Sequence, residues 1–220
     1  MSKKIKFITD FNYYDRETRQ QFVARKYAPI LKGKILDVGA DEGHMEKYID
    51  QNNNYTGIGL GGSNPDIIRV DLENEEIPFE RSTFDCVMCL DVLEHVENIH
   101  SLFDKLCDLS KKWVLISLPN PYNDILHYFI GGNYMGREKN MKFYGLPKER
   151  EPDRHKWFFS SKEACEFVEY RSKKNGFKIY DYYTEEDNSL MKILKEESLF
   201  SGFKSAEVTT GTMWWVLKRR

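Results

Sequence analysis

Short apolar runs alternate along the chain with stretches whose apolar residues recur every three or four positions. That rhythm predicts strands alternating with helices. Asp15 is placed to cap a helix reaching to about Leu31, with Val23, Tyr27, Ile30 and Leu31 on one face and Gly33 ending it. Residues 34–39, with Ile35, Leu36 and Val38, read as a strand buried on both faces. A helix over about 42–50 has Met45, Tyr48 and Ile49 as its stripe, and the polar run 51–54 breaks it. Residues 55–60 form a second strand. A loop at 61–65 stands where a full crossover helix is expected, 66–70 is a short third strand closed by Asp71, and 73–82 is an acidic loop holding Pro78. Residues 84–90 are apolar almost throughout, the pattern of a central strand. A helix over about 98–110 leads to a fifth strand at 113–118, which Pro119-Asn120-Pro121 stops. Ser160 and Glu163 form a capping box for a helix to about Asn175, ended by Gly176. Residues 177–183 are a sixth strand, 185–200 a charged helix or loop, and 208–217 a last, antiparallel strand.

Together these predict an α/β fold: a doubly wound, seven-stranded sheet, mostly parallel with an antiparallel last strand and helices on both faces. In such sheets ligands bind at the carboxyl ends of the strands, at the switch point beside the first strand. The whole chain, 1–220, reads as one domain. Residues 1–13 form a flexible or docking arm, 1–31 an N-terminal helical cap, and 119–157 a long functional insertion, a lid rich in Pro, Gly, Tyr and Phe.

Composition adds exclusions. The net charge of −2 gives no general attraction to nucleic acid or anionic membrane. No apolar run approaches a membrane span, and the N-terminus lacks the apolar core of a signal peptide. Cys86 and Cys89 form a C-x-x-C on a predicted strand, where positions i and i+3 face opposite sides, so both read as core residues. A soluble, cytoplasmic protein that carries no metal is the expectation.

The chemistry centres on Asp37-Val38-Gly39-Ala40-Asp41-Glu42-Gly43-His44, a strand, a glycine turn and a helix start whose backbone N–H groups are expected to face a ligand. A dinucleotide fingerprint needs glycine at 41 and 44, where Asp41 and His44 stand, and no Gly-Lys-Ser/Thr follows for a phosphate loop. Asp37, Gly39 and Gly43 instead resemble the first motif of the class I S-adenosylmethionine-dependent methyltransferases, with Asp41 in place of the middle glycine. Val70-Asp71-Leu72 resembles the acidic end of that family's third strand. Phe84-Asp85 through Leu93-Glu94-His95-Val96 resembles its fourth-strand motif, and 116–121 its fifth-strand end. His155-Lys156-Trp157-Phe158-Phe159, with Asn175-Gly176-Phe177, is similar to a run in its small-molecule members.

The resemblance, over about residues 30–184, implies S-adenosylmethionine as cofactor, S-adenosylhomocysteine as product, and methyl transfer to oxygen or nitrogen of a small acceptor. It implies cofactor contacts from Asp37, Gly39, Ala40, Asp41, Gly43, Gly59, Leu60, Asp71, Leu72, Leu90 and Asp91. Asp71 is expected to take the adenine amino group, and Leu90 and Asp91 to face the methionine end. Where the family has a ribose-binding acid this chain has Gly59, so Ser63, Asn64 or Asp66 are candidates for that contact.

Several residues carry a second reading. Asp41 also fits a helix cap, and Asp91 with Glu94 fits a capping box. His95, with Asp91, Glu94 and His100 close in sequence, reads as a base, a metal ligand or a structural histidine; five positions from His100, it shares no helix face with it, which favours the structural reading over a metal ligand. His155 has the titration range of a general base and also suits a loop hydrogen bond. His127 lines the acceptor pocket or packs the lid. The Lys and Arg of 137–156 read as a solvated face or as a site for an anionic substrate group. Two other functions fit the chain: methylation of RNA or protein, and nucleoside or partner binding without catalysis.

Overall fold

The computed structural model describes residues 7–8, 13, 15–131, 144–146, 148–149, 153–186 and 205–220. Most of the 1–13 arm, the charged stretch from 187 and the basic residues of 137–142 lie outside them. Among the described residues are strands β1 (Phe7–Ile8), β2 (Lys34–Val38), β3 (Asn54–Gly59), β4 (Ile68–Arg69), β5 (Phe84–Leu90), β6 (Ser110–Leu118), β7 (Phe177–Glu186) and β8 (Thr210–Arg219). The helices are α1 (Arg16–Lys26), α2 (Ile99–Leu109), α3 (Pro121–Gly131), α4 (Ser161–Lys174) and α5 (Ser205–Thr209). The sheet order is β1-β7-β8-β6-β5-β2-β3-β4. Only β8 is antiparallel to its neighbours, β6 and β7. Seven of these strands are those the sequence predicts; β1 adds two residues, paired parallel to β7 at one edge.

The central strands alternate their side chains between two cores. Leu36, Val38, Val87, Cys89, Val114, Ile116 and Trp215 enter one core with α2 and α4. Ile35, Cys86, Met88, Leu115, Trp214 and Val216 enter the other with Phe22, Val23 and Tyr27 around α1. Cys86 and Cys89 therefore point to opposite faces as buried free thiols, and burial pushes the pKa of both up. β2 lies between β5 and β3, so the chain departs in opposite directions on its two sides. The carboxyl ends of β2 and β5 border the crevice that this reversal opens.

Four expectations about elements change. The helix predicted at 42–50 is a single 3-10 turn, His44–Tyr48. It starts only after Gly43, which is left-handed (φ 70°), and the turn tied by Asp50 and Asn53 follows at once. The third strand shrinks to two residues. The first helix stops at Lys26, and residues 27–31 finish in turns held by the Tyr27 carbonyl. Pro121 begins a helix rather than only ending a strand; as first helical residue it lacks a donor that would go unused there. Asn120 accepts from the Tyr122 N–H, and its amide donates to the carbonyls of Glu207 and Thr210, docking α3 on the start of β8.

The Ser160 capping box is complete: its side chain accepts from the Glu163 N–H, and Glu163 accepts from the Ser160 N–H. Ser160→Ala removes one half and is expected to lower the unfolding free energy by about 1 kcal/mol. Urea denaturation followed by circular dichroism checks this.

Candidate functional site

The strand ends bring Asp37, the glycine turn, Asp91 and Ser117 together, and α1 lies across them. Arg19 of α1 pairs with Asp91 Oδ2 at 2.7 Å and donates to Ser117 Oγ at 2.9 Å. Ser117 Oγ in turn donates to Asp91 Oδ1 at 2.6 Å. The guanidinium lies 5.0 Å from the Trp214 ring centre, and that indole N–H donates to Glu185. Three residues earlier on the same helix face, Arg16 pairs with Asp41. Both arginines thus hold aspartates in the left-handed region, Asp41 at φ 52° and Asp91 at φ 51°. Aspartate tolerates that region better than most residues. Asp41 therefore keeps the backbone conformation that a middle glycine would take, and the 3-10 turn is capped by Gly43 rather than by Asp41.

Within the turn, the N–H groups of Gly39 and Ala40 both donate to the Ile58 carbonyl, and Gly43 N–H donates to Ala40 O. The expected ligand-facing donors are therefore not these three. A Cβ on Gly39 would overlap Val92, so this glycine admits a side chain of the neighbouring loop. Gly59 lies against the Gly39 backbone. The acid that reaches the loop after β3 is Glu42, from the turn itself. Its carboxylate accepts from Ser63 N–H at 3.1 Å, and Gly62 leaves it room. Asn64 donates to Glu42 O and accepts from the Asp66 N–H, so the candidate ribose residues hold this loop in shape.

The other predicted residues separate into wall and core. Asp71 accepts from Asn74 Nδ2 and the Glu73 N–H, which hold its pKa below the usual carboxylate value. Leu72 belongs to the core with α2 and α4, Leu90 packs at the edge of the other core around α1, and Leu60 is 59% exposed beside the crevice.

A second constellation adjoins the first. Residues 93–95 form a 3-10 turn after β5, and Lys156 N–H donates to Glu94 O, which fixes the 155 segment against it. The His95 and His155 rings meet edge-to-face at 4.6 Å. Glu94 Oε1 lies 3.8 Å from His95 Nε2 and 4.0 Å from His155 Nε2. Tyr144 Oη is 2.7 Å from His155 Nδ1, and Asp153 Oδ1 is 3.0 Å from His95 Nδ1. Burial pushes the Glu94 carboxyl well up, Asp91 and Asp124 adding to the effect and Arg19 opposing it. Glu94 is not the second half of a capping box. His100 sits apart, against Trp157 and Phe167, and His127 lies on α3. Arg19, Tyr144 and Asp153 carry no signal of their own in the sequence; only the i, i+3 spacing of Arg16 and Arg19 hints at a shared task.

Asp37 is buried, with Tyr55 Oη donating to Oδ2 at 2.7 Å. Desolvation raises its pKa to about 6 despite that bond and the nearby Arg19 charge. A raised carboxyl pKa favours folding below the unfolded-state value, and that contribution is lost as pH rises through about 6. Asp37→Asn, which never ionises, is expected to gain up to about 3 kcal/mol of stability over wild type near pH 7.5, with the gain gone near pH 4. Denaturant melts at the two pH values test the sign.

The geometry agrees with what comparison finds. A methyltransferase domain profile matches residues 13–180. No curated protein matches the chain. Among solved structures, magnesium protoporphyrin IX methyltransferase from Synechocystis PCC 6803, with bound S-adenosylhomocysteine, aligns over 97% of this chain and 90% of its own at TM-score 0.56 and 16% identity. An S-adenosylmethionine-dependent methyltransferase from Archaeoglobus fulgidus aligns over 93% and 95%, at 0.59 and 16%. The small RNA methyltransferase HEN1 aligns over 99% of this chain and 27% of its own, at 0.63 and 12%. These likenesses show a shared fold, and the profile match shows descent: the chain belongs to the methyltransferase domain family, as an S-adenosylmethionine-dependent enzyme.

Proposed function

We propose that the protein transfers a methyl group from S-adenosylmethionine to an oxygen or nitrogen of a small acceptor. The observation that carries this reading is the Glu94, His95 and His155 constellation beside the crevice, flanked by Asp91, Asp124 and Asp153. A wall this rich in carboxylates repels a phosphate backbone and suits a neutral or cationic acceptor. Lid residue Tyr144, against His155, contributes an aromatic surface to the same wall.

The groups present fit the cofactor. Arg19 Nε is buried and bonds to nothing among the described residues, so the guanidinium has a donor left for the cofactor's carboxylate. Asp37, buried and reluctant to ionise, gains from a nearby ammonium or sulfonium charge. Asp71 and the exposed Leu60 are the groups we assign to the nucleoside end. The bound cofactor supplies an electrophilic methyl group, and the protein aligns the acceptor with it and excludes water. The acidic and imidazole groups hold or take the acceptor's proton.

Two measurements test this reading. Calorimetry is expected to show S-adenosylhomocysteine binding that Arg19→Met weakens about 10- to 100-fold, the loss of one charge-assisted contact. Melting curves confirm that the variant stays folded after losing its Asp91 partner. With methyl-labelled S-adenosylmethionine and fractionated cell extract, label is expected in the small-molecule fraction. Label in RNA or protein would contradict the choice of acceptor.

A further inference from the structure

We propose that Glu94, His95 and His155 bind one divalent first-row metal ion beside the cofactor crevice. One ligand atom from each, a carboxylate oxygen and two imidazole nitrogens, lies within 4.8 Å of the others. Bonds of about 2.0–2.2 Å to such an ion set neighbouring ligand atoms roughly 3–3.5 Å apart. Closing from 3.8 and 4.0 Å needs only small side-chain rotations.

Three observations point to an ion rather than to packing. First, the Glu94 side chain is 1% exposed, and neither of its oxygens accepts a hydrogen bond among the described residues. Buried carboxylates are otherwise hydrogen-bonded or paired. The imidazole nitrogens face it, yet stand too far away for hydrogen bonds and leave space between.

Second, each ring has a polar neighbour behind it, hydrogen-bonded in the case of His155 and at ion-pair distance in the case of His95. Nε2 of each ring is turned toward Glu94, while Nδ1 of His155 meets the Tyr144 hydroxyl and Nδ1 of His95 meets Asp153. Outer partners of this kind fix the orientation of imidazole ligands in metal sites.

Third, the surrounding charge favours a cation. Asp91 and Asp124 act on Glu94 in the same direction as its own burial, against the N–H dipole of Glu94 itself and Arg19.

The donor set selects the ion. Two imidazoles and one carboxylate suit manganese, iron, cobalt, nickel or zinc, and calcium or magnesium less well. Thiolate takes no part, because Cys89 packs in the core and keeps its proton. Methyl transfer as read above gives the ion a task, Lewis-acid polarisation of an acceptor oxygen, which narrows the acceptor to an oxygen donor. That task rests on the proposed function; the binding of the ion does not.

The full chain, stripped with chelator and dialysed, is titrated with Co2+ and Mn2+ by calorimetry, with visible absorption for cobalt. S-adenosylhomocysteine binding is measured in parallel. The expected result is one ion per chain, with cobalt d–d bands and no thiolate charge-transfer band. Glu94→Gln and His155→Gln are each expected to weaken binding about tenfold or more, while S-adenosylhomocysteine binding and the melting temperature show that they are folded. Asp153→Asn, at a half-exposed position, is the backup variant should either fail to fold, and a tenfold weakening is expected there too. No binding at millimolar Co2+ and Mn2+, a thiolate band, or unchanged affinity in folded variants would overturn the site. Ion binding without S-adenosylhomocysteine binding would contradict the methyl-transfer reading and leave the ion site standing.

Discussion

Buried carboxylates at the carboxyl end of the sheet are the constraint on which the rest of this molecule depends. A charge removed from water needs a partner, and each acid here meets that need differently. Asp91 has Arg19 and Ser117, and this ion pair ties the N-terminal helix to the ends of β5 and β6. Asp37 has the Tyr55 hydroxyl and the nearby Arg19 charge, which do not offset its burial, so its pKa rises. Glu94 has no hydrogen-bond donor among the described residues and two imidazoles that face it. The three acids thus form a gradient from paired to unpaired. Chemistry that adds positive charge relieves it at each step.

The fold follows from ordinary packing and serves this arrangement. Strands buried on both faces leave only their ends free to carry polar groups, which gathers Asp37, Asp91 and Ser117 at one rim. The reversal of direction at β2 opens the rim into a crevice. The left-handed backbones of Asp41 and Asp91 turn the chain sharply on the two sides of it. Glu42 reaches from the glycine turn to the loop after Gly59, and Tyr144 meets His155.

Much of the fold is legible in the sequence because its signals are local. The apolar runs of β2, β5 and β6, the helix cap at Asp15, the capping box at Ser160 and the Gly176 stop each act within a few residues. The failures are equally physical. The stripe Met45, Tyr48, Ile49 fits a helix, but Gly43 and the Asp50 turn leave room for one 3-10 turn only. Pro121 looks like a stop because its other use, as a first helical residue, depends on how Asn120 docks on β8. In the site, the glycine turn and the stretch ending in Glu94 and His95 stand out from sequence alone. Arg19, Asp153 and Tyr144 do not, because their partners lie from 11 to 98 residues away and no spacing rule connects them.

A crystal structure of the protein with S-adenosylhomocysteine is the most direct measurement. The cofactor carboxylate is predicted to lie against Arg19, the adenine beside Asp71 and Leu72, and the sulfur to open toward Glu94, His95 and His155. A cofactor seated with its sulfur turned away from those three residues would contradict the assignment of that wall to the acceptor.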